Sequence, residues 1–272
     1  VPVKVGTNNA LRILEFVGKN EIPVYEGCSE PLNRKLVTAE WVHGTDGLNN
    51  LDIPNATTQK QTDSAVEFIT RTLQESDDRV TLAVLGPMTN IGTVIKNKPE
   101  LVNKIEQIVF MGGSALKGNI TPVGEFNTYV DPEAAKIVLD SGAKIFMLGL
   151  DVTNKSITTA KRKEKLKKIN NKVSNAMVHL MTSFDKIPIV KEKFPDGTPV
   201  HDLLVTVFLI DSTIFKYKLV NVEVEVDSEL TMGQTVVDSD EITDRVKNVN
   251  WVFDLDADSI YSILFNSAMK FK

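Results

Sequence analysis

Three apolar runs constrain this chain more than any other feature: Val80-Thr-Leu-Ala-Val-Leu85, Ile108-Val-Phe-Met111 and Lys144-Ile-Phe-Met-Leu-Gly-Leu150. Each has the length of a strand and lacks the polar alternation of a half-wet one, so each reads as a parallel strand buried on both faces. Between them the apolar residues take helical spacing, at 65, 66, 68, 69 and 73 in a helix over 62–77, then in helices over 90–102 and 132–141. Strands and helices alternating through short connections imply an α/β fold, a mostly parallel open sheet with helices on both faces. Such sheets bind ligands outside the carboxyl ends of their strands. The functional reading therefore rests on the polar residues found there.

The loop after Met111 is the densest of these places. Asn119, Glu125 and Asn127 follow closely, interleaved with Gly118, Pro122 and Gly124, and Asp131-Pro132-Glu133 then starts a helix with an N-cap and a proline at its first position. Side chains of this kind bind sugar hydroxyls, although the same residues also make an ordinary solvated turn. Val200-His201-Asp202 opens an apolar helix over 203–210 and puts two polar groups at a positive helix end. Pro87 cannot continue a central ladder, which leaves the Leu85 carbonyl without a sheet partner or simply ends a strand. Trp41-Val-His43-Gly44-Thr-Asp-Gly47-Leu48 presents a lone histidine, a ligand contact or a structural residue. Asp151 closes the third run on the same rim.

Elsewhere the pattern gives a helix from Asn9 to Val17, a short strand over Ile22–Gly27 and a loop over 30–62. A Lys-rich exposed helical insertion spans about 158–195. Val220–Val226 alternates strictly, as an antiparallel edge strand does, and Gly233–Asp238 reads as another strand. Asp254, Asp256 and Asp258 read as strand-end and helix-cap residues. Residues 1–272 form a single domain in this reading.

With 42% hydrophobic and 25% charged residues the chain can bury a large core. A formal charge of -5 argues against a nucleic-acid surface, and the basic cluster Lys161–Lys168 fits the solvated face of a helix. Cys28 is the one cysteine, so no intrachain disulfide forms and a reducing, cytoplasmic setting is expected. No apolar run reaches membrane-spanning length, and no signal peptide is evident.

Read together, Met111-Gly-Gly, Gly118-Asn119, Glu125-Phe-Asn127, Asp131-Pro-Glu-Ala-Ala135, Gly86-Pro-Met-Thr-Asn90, His43-Gly-x-x-Gly-Leu48, Val200-His-Asp202 and Gly233-x-Thr-x-x-Asp238 resemble the nucleoside hydrolase family, the inosine-uridine-preferring nucleoside N-ribohydrolases. The resemblance implies hydrolysis of a ribonucleoside to free base and ribose, with a calcium-bound water as nucleophile. It implies that His201 protonates the leaving base and that Asp202 binds both calcium and ribose. The Leu85 carbonyl becomes a second calcium ligand, and Met111, Asn119, Glu125, Asn127 and His43 become substrate contacts. A homodimer or homotetramer is implied as well. The chemistry agrees with the residue types: carboxylates stabilise an oxocarbenium-like ribosyl cation, a histidine suits proton donation to the base, and an all-oxygen ligand set suits calcium better than zinc.

One departure is plain. The family opens with an Asp-x-Asp-Pro-Gly-x-Asp-Asp motif, and residues 1–20 contain no aspartate. A further strand-helix-strand of about thirty to forty residues upstream would supply it, with Val1 then at the mouth of the cleft. The missing aspartates keep a second reading open, a nucleoside- or sugar-binding relative without turnover. Base preference is open too, because 182–194 holds no tyrosine, glutamine or histidine and suggests an apolar, tolerant pocket.

Overall fold

The computed structural model describes residues 1–271. Its strands are β1 (Val80–Val84), β2 (Ile105–Met111), β3 (Ile145–Leu148), β4 (Phe215–Val220), β5 (Val222–Val224), β6 (Thr235–Val237) and β7 (Val249–Leu255). Its helices are α1 (Val3–Phe16), α2 (Glu40–His43), α3 (Ala65–Glu75), α4 (Thr89–Asn97), α5 (Phe126–Val130), α6 (Pro132–Leu139), α7 (Leu150–Thr153), α8 (Ala160–Ile169), α9 (Lys172–Phe184), α10 (Pro188–Lys193), α11 (Leu203–Ile210) and α12 (Ala257–Ala268). The main sheet has the order β1-β2-β3-β7-β4, in which β1, β2, β3 and β7 are parallel and β4 runs antiparallel on β7. β5 and β6 pair separately.

The period of two along β2 and β3 divides the core between two layers. Ile108, Phe110, Ile145 and Met147 point into a cluster with α3, α4, α6 and β5, whereas Val109, Met111, Phe146 and Leu148 point into a cluster with α7, α11 and α12. Both faces are covered, as the continuous apolar runs require. β1 differs from its expected burial. It is an edge strand: Val80, Leu82 and Val84 pack on the first cluster, but Thr81 and Ala83 face solvent.

Other segments depart from their patterns for local reasons. Ile22–Gly27 forms no strand; Pro23 has no N–H to donate, and the segment makes a single parallel bridge, Glu26 to Ser64. The helix expected over 90–102 breaks before Pro99, where a 3-10 turn over Pro99–Lys104 replaces it. The third run stops at Leu148, and α7 takes up Asp151 in its first turn. The alternating strand expected at 220–226 is split at Asn221, because the Asn248 side chain satisfies both Val222 N–H and Val222 C=O and the chain passes to the second sheet. The Lys-rich insertion is not an exposed appendage. Leu166 of α8 is fully buried and packs with Val178 of α9 on Tyr261 and Leu264 of α12.

Candidate active site

The loop between Met111 and Asn127 is built around one carboxylate. Gly113 turns the chain at φ +73, where an added Cβ would lie 2.5 Å from Met147 Cε, and its N–H donates to Glu125 Oε2 at 2.9 Å. The same oxygen accepts from the N–H groups of Asn127 at 2.9 Å and Thr128 at 3.3 Å, so Glu125 caps α5 and joins it to the end of β2. Asn127 Nδ2 donates to the Met111 carbonyl at 3.0 Å, and Asn119 Oδ1 accepts from Phe126 N–H at 2.8 Å. Met111, Asn119, Glu125 and Asn127, predicted together from sequence, thus form one hydrogen-bonded unit. Burial pushes the Glu125 carboxyl up to about 7; the three N–H donors pull the other way, and the charge of Asp202 adds to the rise.

His201 and Asp202 reach this rim through a strap. Thr158 N–H donates to Thr198 O at 2.9 Å and Val200 N–H to Ser156 O at 3.2 Å, which lays the approach to His201 along the end of α7. Asp185 braces the strap, accepting from Thr198 N–H and Oγ1 and from Lys163. His201 Nδ1 lies 2.8 Å from Thr153 Oγ1. Burial pushes the His201 imidazole down to about 4, and nearby Lys193 adds to that shift.

Asp202 opens α11 in helical geometry, yet its carboxylate does not cap the helix and makes no hydrogen bond among the described residues. It is exposed to water. The protein beside it still removes part of its hydration, which pushes its carboxyl up to about 6.

The other two expected residues, His43 and Leu85, make no hydrogen bond to that unit among the described residues. His43 ends α2, exposed to solvent and edge-on to Phe184 with ring centroids 5.4 Å apart, and no hydrogen bond joins it to the rim. Partial desolvation lowers its pKa, and the nearby Val1 amino group adds to this. Leu85 follows β1, and its carbonyl accepts no hydrogen bond among the described residues. Among the described residues no three His, Cys, Asp or Glu side chains gather closely enough to hold a metal ion.

The family model described as inosine-uridine preferring nucleoside hydrolase matches residues 1–262. The chain belongs to that family. It is accordingly an enzyme, a nucleoside hydrolase. It is 39% identical over 261 residues to a pyrimidine-specific ribonucleoside hydrolase RihA of Photobacterium profundum, covering 94% of this chain and 83% of that one. A Schizosaccharomyces pombe protein, C1683.06c, is 38% identical, with 97% of this chain and 86% of its own covered. Among solved structures, a purine-preferring ribonucleoside hydrolase from Gardnerella vaginalis superposes with a TM-score of 0.90 at 28% identity, covering 99% of this chain and 87% of that one. The plant nucleoside hydrolase PpNRh1 gives 0.91 at 28% identity with the same coverage.

Several residues around the site of this nucleoside hydrolase were not singled out in the sequence. Thr153 touches His201, Asp185 and Lys163 brace its strap, and Thr235 Oγ1 accepts from Ser114 N–H and donates to Ser114 O under the loop that follows β2. Each acts across a separation that no local spacing encodes.

Proposed function

We propose that this nucleoside hydrolase cleaves its substrate at the rim joining Glu125 to Asp202, with His201 serving the leaving base. The observation that carries the reading is the contrast in hydrogen bonding there: Glu125 is fully engaged by backbone donors, while Asp202 presents a carboxylate with no protein partner. Water attacks C1′ and gives up a proton, the C1′–N bond breaks, and the base departs with the electron pair and takes up a proton. Asn119, Asn127 and Glu125 hold the ribose, and the two carboxylates stabilise the cationic sugar in the transition state. His201 stands at the leaving base, where its neutral ring donates a hydrogen bond to the departing nitrogen while the proton that ends on the base comes from solvent.

Calcium fits the donors that are present. The Asp202 carboxylate and the Leu85 carbonyl are hard oxygens without hydrogen-bond partners, and two crowded carboxylates pushed upward in pKa favour a neighbouring cation. These two would form part of a shell of about six to eight oxygens. When bound, the ion supplies positive charge that orients ribose hydroxyls and acidifies water.

Uridine is the first substrate to test, because the relatives called pyrimidine-specific are 38–39% identical and the purine-preferring structure 28%. The apolar edge of Phe184 beside His43 supports acceptance of inosine too. The single thiol of Cys28 supports a reducing, cytoplasmic setting, and the family resemblance supports a homodimer or homotetramer. No described helix is long and apolar enough to cross a membrane.

The test is ribose release from uridine and inosine with calcium present, alongside His201→Ala. That variant should lose kcat about 10²- to 10⁴-fold on nucleosides and little on p-nitrophenyl riboside, whose leaving group departs without protonation. Binding of nucleoside without ribose release would replace this reading with the non-catalytic one.

A further inference from the structure

Thr153 ends α7 and is fully buried. Its backbone groups are satisfied: the N–H donates to Gly149 O at 3.0 Å, and the carbonyl accepts from Ser156 N–H and Ser156 Oγ. The hydroxyl meets a single polar partner among the described residues, His201 Nδ1 at 2.8 Å. A buried hydroxyl needs an acceptor for its hydrogen, and leaving it without one is costly.

That requirement decides which ring nitrogen of His201 carries hydrogen. A hydrogen on Nδ1, in the other neutral tautomer or in the imidazolium, would face the hydroxyl hydrogen of Thr153 and leave the latter no acceptor. With Nδ1 as acceptor, the neutral ring carries its hydrogen on Nε2. Nε2 has no hydrogen-bond partner among the described residues, and the residue is half-buried.

The element that carries Thr153 is itself tied to the ribose loop. Asp151, two residues earlier in α7, accepts from Ser114 Oγ at 3.1 Å and from Ala115 N–H at 2.7 Å, and Leu150 N–H donates to Gly113 O at 2.9 Å. Gly113 in turn donates to Glu125. A continuous set of hydrogen bonds therefore runs from the Glu125 carboxylate through Gly113 and α7 to the His201 ring.

We propose that Thr153 is a positioning residue: its hydroxyl fixes His201 in the tautomer with hydrogen on Nε2 and registers that N–H against the ribose loop, where the base departs. The proposal rests on the reading of His201 as the group that serves the leaving base. Thr153→Val keeps the branched shape and removes the donor. Thr153→Ser keeps the donor.

The experiment combines ¹⁵N imidazole NMR of the full chain with kinetics on uridine and p-nitrophenyl riboside. In the wild-type protein the His201 spectrum should show hydrogen on Nε2 and an unprotonated Nδ1. Thr153→Val should lose that signature and lower kcat on uridine about 10- to 100-fold at little-changed KM, with p-nitrophenyl riboside turnover kept and with Thr153→Ser near wild type. Hydrogen on Nδ1 in the wild-type protein overturns the proposal. Wild-type kcat in Thr153→Val, or equal losses on both substrates, overturns it too. Unimpaired uridine turnover in His201→Ala would instead remove the reading beneath it, and the wild-type spectrum distinguishes the two failures.

Discussion

Glu125 and Asp202 are carboxylates on one rim, close enough for the charge of one to raise the pKa of the other, yet the fold treats them in opposite ways. Three backbone N–H groups converge on Glu125, which is 2% exposed and holds the end of β2 and α5 together. Asp202 stands where an aspartate would ordinarily cap a helix and declines that role, leaving its oxygens without a protein donor. Asp202 is exposed, so water meets those oxygens and they stay free of protein donors at little cost to the fold. The difference separates a residue that holds the loop in place from one whose side chain the fold leaves free.

The largest expected break in that comparison is Asp202→Ala. Turnover of uridine should fall by at least about 10³-fold, while the calcium-free melting temperature stays level or rises, since no protein hydrogen bond is lost. A melting temperature several degrees lower would make Asp202 structural and erase the contrast. Glu125→Ala should behave in the opposite sense. It strands three N–H donors and should cost about 3 kcal/mol in denaturant unfolding, in addition to substrate binding.

The pH dependence sharpens the same point. Glu125 is raised to about 7 in the folded protein from an ordinary 4.5, so below its ordinary value the folded and unfolded states are protonated alike and its stabilisation is fully present. As pH rises the unfolded state ionises first, and that stability is lost through about 7. Calcium-free thermal melts from pH 5 to 8 should show this decline, and Glu125→Gln should make it shallower, leaving the share of Asp202, which is raised to about 6. The smallest effect belongs to a control carboxylate that makes no hydrogen bond to Glu125, His201 or Asp202. Asp254 is held down to about 2 first by its hydrogen bond from Lys155, then by Lys216. Asp254→Asn should leave nucleoside turnover unchanged.

What sequence could reveal follows the same division. Continuous apolar runs identified β2 and β3 because both faces of those strands are buried. The same reasoning overstated β1, since an apolar run does not state whether a neighbour covers its second face. Pro99 and Asn248 redirect the chain through one missing N–H and one side-chain amide, effects too local for a periodic pattern. In the site, the loop from Met111 to Asn127 was legible because its members are near in sequence and bond to one another. Thr153 lies 48 residues from His201, and only the strap that pairs 156–158 with 198–200 brings them together. His43 was legible as a motif, while its ring contact with Phe184 was not, since the two lie far apart in the sequence.

Calcium titration by calorimetry of the wild-type protein and Asp202→Asn, with folding of both checked by circular dichroism, tests the central claim most directly. The account predicts saturable calcium binding in the wild type and its loss in a folded Asp202→Asn variant. Wild-type calcium affinity in that variant would contradict it and return Asp202 to a structural role.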